Sequence, residues 1–92
     1  MSIVERVFVF KELRPLRPTV IHMGDIVMIG DKFYRVINRP DEFHELLSEG
    51  LWHGWRFKAV VIRDGKTLEA LRKRKMNFLC LNPKSVEGVN NP

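Results

Sequence analysis

A chain of 92 residues, 45% apolar and 29% charged, has the composition of one small globular domain and not of a disordered segment. No window reaches the ~18 uninterrupted apolar residues of a membrane span, and the single cysteine, Cys80, excludes an internal disulfide or a cysteine pair for a metal. The net charge is +5 but unevenly placed: residues 1–55 hold 7 Lys+Arg and 8 Asp+Glu, residues 56–92 hold 9 Lys+Arg and 3 acids, an asymmetry that bears on partners and not on fold.

The first residues show no basic stretch ahead of an apolar one, so no secretory signal is read there and a cytoplasmic location is expected. β-branched and aromatic residues favour a strand over 2–11. Alternation puts Val4, Phe8 and Phe10 on one face, with Arg6 as the exception in that row. Leu13-Arg14-Pro15-Leu16-Arg17-Pro18 follows. Its two prolines fix φ and favour an extended connection. The flanks lack the basic residue that would make it a ligand for a proline-binding domain, so a plain loop is expected.

Residues 25–29 and 33–37 read as a hairpin closed by Gly30-Asp31-Lys32. Asn38-Arg39-Pro40 breaks the chain. Asp41 then suits a helix cap, Phe43, Leu46 and Leu47 have helical spacing, and Gly50 suits a left-handed terminator. A short amphipathic helix is therefore expected over 41–49, with Phe43 and Leu46 facing the core. Leu51-Trp52-His53-Gly54 reads as a turn into a strand over 55–62. There Trp55, Phe57, Ala59 and Val61 alternate with Arg56, Lys58, Val60 and Ile62, so the first row is expected inside and the cations outside. Residues 66–75 admit a strand after the Asp64-Gly65 turn, but their helix formers favour a helix capped by Thr67. Residues 76–81 read as the last strand. One compact domain over 1–82 is expected, with a flexible tail over 83–92.

No motif carries catalysis. Gly65-Lys66-Thr67 resembles the end of a phosphate-binding loop, but that loop needs a glycine where Val60 stands. His22, His44 and His53 have no His or Cys partner at helical ligand spacing, so no metal and no cofactor are expected. Cys80 lies in an apolar strand and reads as a buried structural thiol, its pKa raised and not activated.

Arg72-Lys73-Arg74-Lys75 is the sharpest feature. Together with Arg56, Lys58, Arg63 and Lys66 it forms a candidate phosphate-reading surface. Trp52, Trp55 and Tyr34 would add stacking platforms where exposed. Finally, Gly24-Asp25-Ile26-Val27-Met28-Ile29-Gly30 followed by Tyr34-Arg35-Val36 resembles the opening hairpin of SH3-like small barrels of the KOW and Tudor kind. The resemblance implies binding of nucleic acid or of a protein segment, without catalysis. The expectation is thus an α+β domain: a small, mostly antiparallel sheet or partly open SH3-like barrel of about five strands, with one or two short helices. Its function is read as non-catalytic binding of DNA or RNA through the basic C-terminal half. The alternative is a protein-interaction or assembly subunit, such as a small inhibitor or a structural component of a larger particle. No membrane partner is expected.

Overall fold

In a computed structural model, residues 4–88 are described. The chain runs β1 (Glu5–Leu13), β2 (Ile26–Ile29), β3 (Lys32–Val36), β4 (Asp41–Leu47), β5 (Gly50–Val61), α1 (Gly65–Arg72), β6 (Leu79–Leu81), a 3-10 turn (Pro83–Ser85) and β7 (Val86–Gly88). Among the described residues, seven strands form one mixed sheet in the order β6-β2-β3-β5-β1-β7, with β4 also paired to β5. Only β2 and β6 run parallel. The sheet does not close into a barrel. The α+β class stands, with seven strands and one α-helix where about five strands and up to two helices were expected.

Strand β5 organises the sheet. One edge pairs with β1 from Trp52 to Val60. The other edge is shared: β4 takes Gly50 to Arg56 and β3 takes Ala59 to Val61. Alternation along β5 sends Trp55, Phe57 and Ala59 to the inner face, where they are buried with Phe8, Phe10, Ile21, Val27, Tyr34, Val36 and Leu81. Among the described residues, the outer face is covered by a helix at one end. There Leu71 of α1 is fully buried against Ile26 and Phe33, with Leu68, Ile62 and Phe78 packed around them. The basis is elementary: a sheet face with apolar side chains needs a cover, and α1 offers Leu68 and Leu71 on one side of a single amphipathic helix.

Several sequence expectations are corrected. Residues 41–49 are not a helix: Asp41–Leu47 is a strand hydrogen-bonded to β5. A helix this short is marginal by itself, and it would leave the Gly50 to Arg56 edge of β5 without backbone partners. Gly50, read as a helix terminator, instead sits at the end of the Ser48-Glu49 hairpin turn with φ +133°. Leu51 to Gly54 is therefore strand and not turn. Leu46 points to solvent, 78% exposed. Phe43 lies on the other face, over Gly54. The β2–β3 turn is the two-residue Gly30-Asp31, with Lys32 already paired to Ile29. Within the expected tail, Val86 to Gly88 pairs with Phe10 to Phe8 of β1. Residues 89–92 lie outside the described residues.

The α1 ends also differ from expectation. Asp64, not Thr67, is the N-cap, its carboxylate accepting from the Thr67 amide at 3.0 Å and from the Thr67 hydroxyl. The hydroxyl first, and then the amide, hold the Asp64 pKa below the ordinary carboxylate value. At the other end Lys75 N donates to Ala70 O and Arg74 N to Leu71 O, with Arg74 at φ +57°. This is the paired-bond terminator in which glycine usually holds the left-handed position. The cationic run thus straddles the helix end. Among the described residues, no helix is long and apolar enough to cross a membrane.

Two substitutions test this hairpin. A Cβ at Gly54 would overlap the Phe43 ring and come within 2.9 Å of the Phe10 carbonyl oxygen. Gly54→Ala is therefore expected to lower the unfolding free energy by about 1–3 kcal/mol. Leu46→Ala should leave it within about 0.5 kcal/mol. Urea unfolding of both variants measures the contrast, which a helix over 41–49 would reverse.

Candidate functional site

The eight candidate cations divide between two surfaces. Arg56 and Lys58 project from the outer face of β5, both exposed. Pairing carries that face across to Arg35, since Arg35 opposes Val60. Helix α1 lies on the same outer side and adds Lys66, Arg72, Lys73, Arg74 and Lys75, all exposed. Within this group Lys73 is neutralised by Glu69 at 2.7 Å. The Arg74 guanidinium sits 5.6 Å from the Phe78 ring centre, a cation–π contact that steadies it.

Arg63 belongs elsewhere. It lies just past β5, in register with the inner row Ala59 and Val61. With Arg6, Lys32, Tyr34, Val4 and Val61 it lines a depression of about 270 Å³. Arg6 pairs with Ala59 and Tyr34 with Val61, so the apolar inner row ends in a rim of three cations. Among the described residues, no acid lines this depression. Arg6 and Lys32 were missed as site residues because they are distant in sequence. Arg6 did carry a signal: a lone charge in the row of Val4, Phe8 and Phe10.

The aromatic platforms are mostly absent. Trp55 is 8% exposed and donates from Nε1 to Thr19 O at 2.7 Å. Tyr34 is buried edge-on against Phe8. Trp52 alone is half-buried, on the outer face, with Lys11 Nζ 5.2 Å from its ring centre. It helps line a cleft of about 240 Å³ with Val9, Lys84 and Glu87. Cys80 is exposed, contrary to expectation. Leu79 and Leu81 take the inner face, and the outer face of short β6 lies beyond the cover of α1.

At the opposite end of the inner row the strand correction assembles a second constellation. His44 and His53 are directly opposed across β4 and β5, and Glu42 shares their face. The His44 and His53 rings lie 5.0 Å apart. His53 is only 7% exposed, and its Nε2 is 2.6 Å from Glu42 Oε2. Its Nδ1 is buried with no hydrogen-bond partner. One ligand atom from each of the three residues lies within 4.8 Å of the others. On the expected helix, His44 and His53 would not have met. Glu42, His44 and His53 open onto a groove of about 440 Å³ lined also by Arg14, Pro15, Pro18, Val20 and Leu51.

Comparison of the chain with protein-family models, curated proteins and solved structures gives no match.

The split between buried Trp55 and exposed Arg56 and Lys58 is open to measurement. Trp55→Ala removes a packed indole and its bond to Thr19, and is expected to cost about 3–5 kcal/mol. Arg56→Ala with Lys58→Ala should stay within about 0.5 kcal/mol of wild type. Thermal and urea unfolding of the two variants gives both values.

Proposed function

We propose that the protein is a small non-catalytic module that binds the sugar–phosphate backbone of nucleic acid through its cationic end. The observation that supports this most is the depression bounded by Arg6, Lys32 and Arg63, with no acid lining it among the described residues. Two guanidinium groups offer paired donors that match phosphate oxygens, and the lysine adds a point charge. Helix α1 extends the cationic surface with Lys66, Arg72, Arg74 and Lys75, and Arg56 and Lys58 add to it on the outer face. Backbone binding of this kind needs no base-reading groups and tolerates the burial of Trp55 and Tyr34. The likeness of the Gly24 to Val36 stretch to KOW and Tudor modules is in keeping with it.

A second reading has its own support. The β4–β5 hairpin exposes Leu46 and Leu51, which are cross-strand partners, and Leu47 beside them. Leu16 and Val20 of the proline loop are exposed as well. Exposed apolar side chains gathered at one end of a small domain suit a protein partner. Here the chain is an interaction or assembly subunit.

Binding of short fluorescent DNA and RNA at several salt concentrations tests the first reading. Each lost phosphate contact should flatten the log–log salt dependence by roughly 0.7–0.9. Arg6→Gln, Lys32→Gln and Arg63→Gln combined should therefore flatten it by about two to three units. A parallel variant neutralising Arg72, Lys73, Arg74 and Lys75 reports on the helix end. Folded variants with the wild-type slope exclude the nucleic-acid reading. Leu46→Ser with Leu51→Ser should leave that slope unchanged, and a loss of protein association on these changes favours the second reading.

A further inference from the structure

We propose that Glu42, His44 and His53 form a binding site for a divalent transition-metal ion of the zinc class. The three donors come from two hydrogen-bonded strands, so the backbone register presents them together. Two imidazoles and one carboxylate make a set suited to zinc, cobalt, nickel or copper. It is a poor set for calcium or magnesium, which call for a shell of oxygen ligands.

The geometry is close to what such an ion needs. Zinc bonds of about 2.0–2.2 Å in a tetrahedron place donors roughly 3.3 Å apart. The His53 Nε2 to Glu42 Oε2 distance of 2.6 Å would open slightly, and the other donor distances are within 4.8 Å. Glu42 and His44 are exposed and free to make that adjustment, while His53 is held by burial beside Trp55. A hydrogen bond now joins Nε2 and the carboxylate; a metal ion would take its place and bond both atoms. With Nε2 as the ligand the ring proton would sit on Nδ1, which is buried without a hydrogen-bond partner; the three converging donors carry the site.

Neighbouring charges leave the cluster available. Glu12 opposes His53 on β1, but its carboxylate accepts from the Thr19 amide and hydroxyl. Arg14 lines the groove, but its guanidinium donates to Glu49 O at the hairpin turn. Three protein ligands leave at least one coordination position for water or for a donor atom entering the apolar groove.

The test is titration of Zn²⁺ into the full chain against a chromophoric chelator, with Co²⁺ as a spectroscopic probe of tetrahedral N/O ligation. One equivalent should bind, and Cys80→Ser and His22→Gln, which remove the one cysteine and the remaining histidine, should bind as wild type does. Glu42→Gln and His44→Ala should each weaken binding by more than ~10-fold, the least loss typical of even an outer-shell change. Both residues are exposed, so both variants fold; circular dichroism checks this. Zinc should raise the melting temperature of the wild type and not of His44→Ala. Absence of saturable binding, equal affinity in Glu42→Gln and His44→Ala, or loss of binding in Cys80→Ser would overturn the proposal.

Discussion

Two strands share one edge of β5, and the junction between them is the constraint on which the sheet depends. β4 leaves that edge at Arg56 and β3 takes it up at Ala59. Between them the backbone of Lys58 would face an open edge. Ile37 N donates to Lys58 O at 2.9 Å, and the Asn38 side chain accepts from Lys58 N at 2.8 Å. One asparagine thus completes the ladder where the chain turns from β3 toward β4, and Pro40, which lacks an N–H, follows without adding an unpaired donor. With the edge complete, β5 runs unbroken from Gly50 to Val61. Its inner row then reads Leu51, His53, Trp55, Phe57, Ala59, Val61, with Arg63 just beyond. The buried centre separates a histidine groove at one end from a cationic depression at the other.

The same arrangement sorts charge. Strand β4 and its turn carry Asp41, Glu42, Glu45 and Glu49, whereas the far end carries Arg6, Lys32, Arg63 and the run after α1. On the proposed nucleic-acid reading the end that carries Arg6, Lys32 and Arg63 would meet the phosphates; at the β4–β5 end the acids are interleaved with Lys11, 4.0 Å from Glu45, with Arg14 and with Arg56, which opposes Asp41. The two functional readings therefore use different ends of the molecule and do not compete for surface. The acids have a structural consequence too. β4 is an edge strand with an open side, and a row of carboxylates disfavours the addition of a further strand there.

Much of this was legible in the residues. Alternation in β1 and β5 separates Phe8, Phe10, Trp55 and Phe57 from Arg56 and Lys58, because a half-covered sheet cannot tolerate unpaired cations inside. The Gly30-Asp31 hairpin is local chemistry and is visible locally. β4 was not legible, because Asp41, Phe43, Leu46, Leu47 and Gly50 satisfy helix grammar as well as strand grammar. The choice is made by a long-range demand: the edge of β5 needs backbone partners, and only a strand supplies them. A helix over 41–49 conceals both the histidine pair and the exposure of Leu46, which only the strand register reveals. Cys80 was misplaced for a related reason. Alternation along 79–81 places Cys80 opposite Leu79 and Leu81 but does not say how far α1 extends to cover that face. The terminator at Arg74 escaped notice because the left-handed position, which usually advertises itself by glycine, is held by an arginine resting on Phe78.

The edge strand and the histidine face are linked by the same geometry. Among the described residues β4 pairs with β5 and no other strand, with Phe43 on Gly54 as its half-buried anchor. Every other side chain of β4 is exposed, so its packing contributes little and its local opening should cost less than that of the core strands. Glu42 and His44 stand on this weakly held strand; His53 stands on the strand that holds everything else. An ion joining the three would be a cross-strand tie at the point where side-chain packing is thinnest. It would also bring the proline loop, whose Thr19 is already bonded to Trp55 and Glu12, to border a more rigid wall. Occupancy would then be felt in the hairpin that carries Leu46 and Leu51 before it was felt in the cationic end.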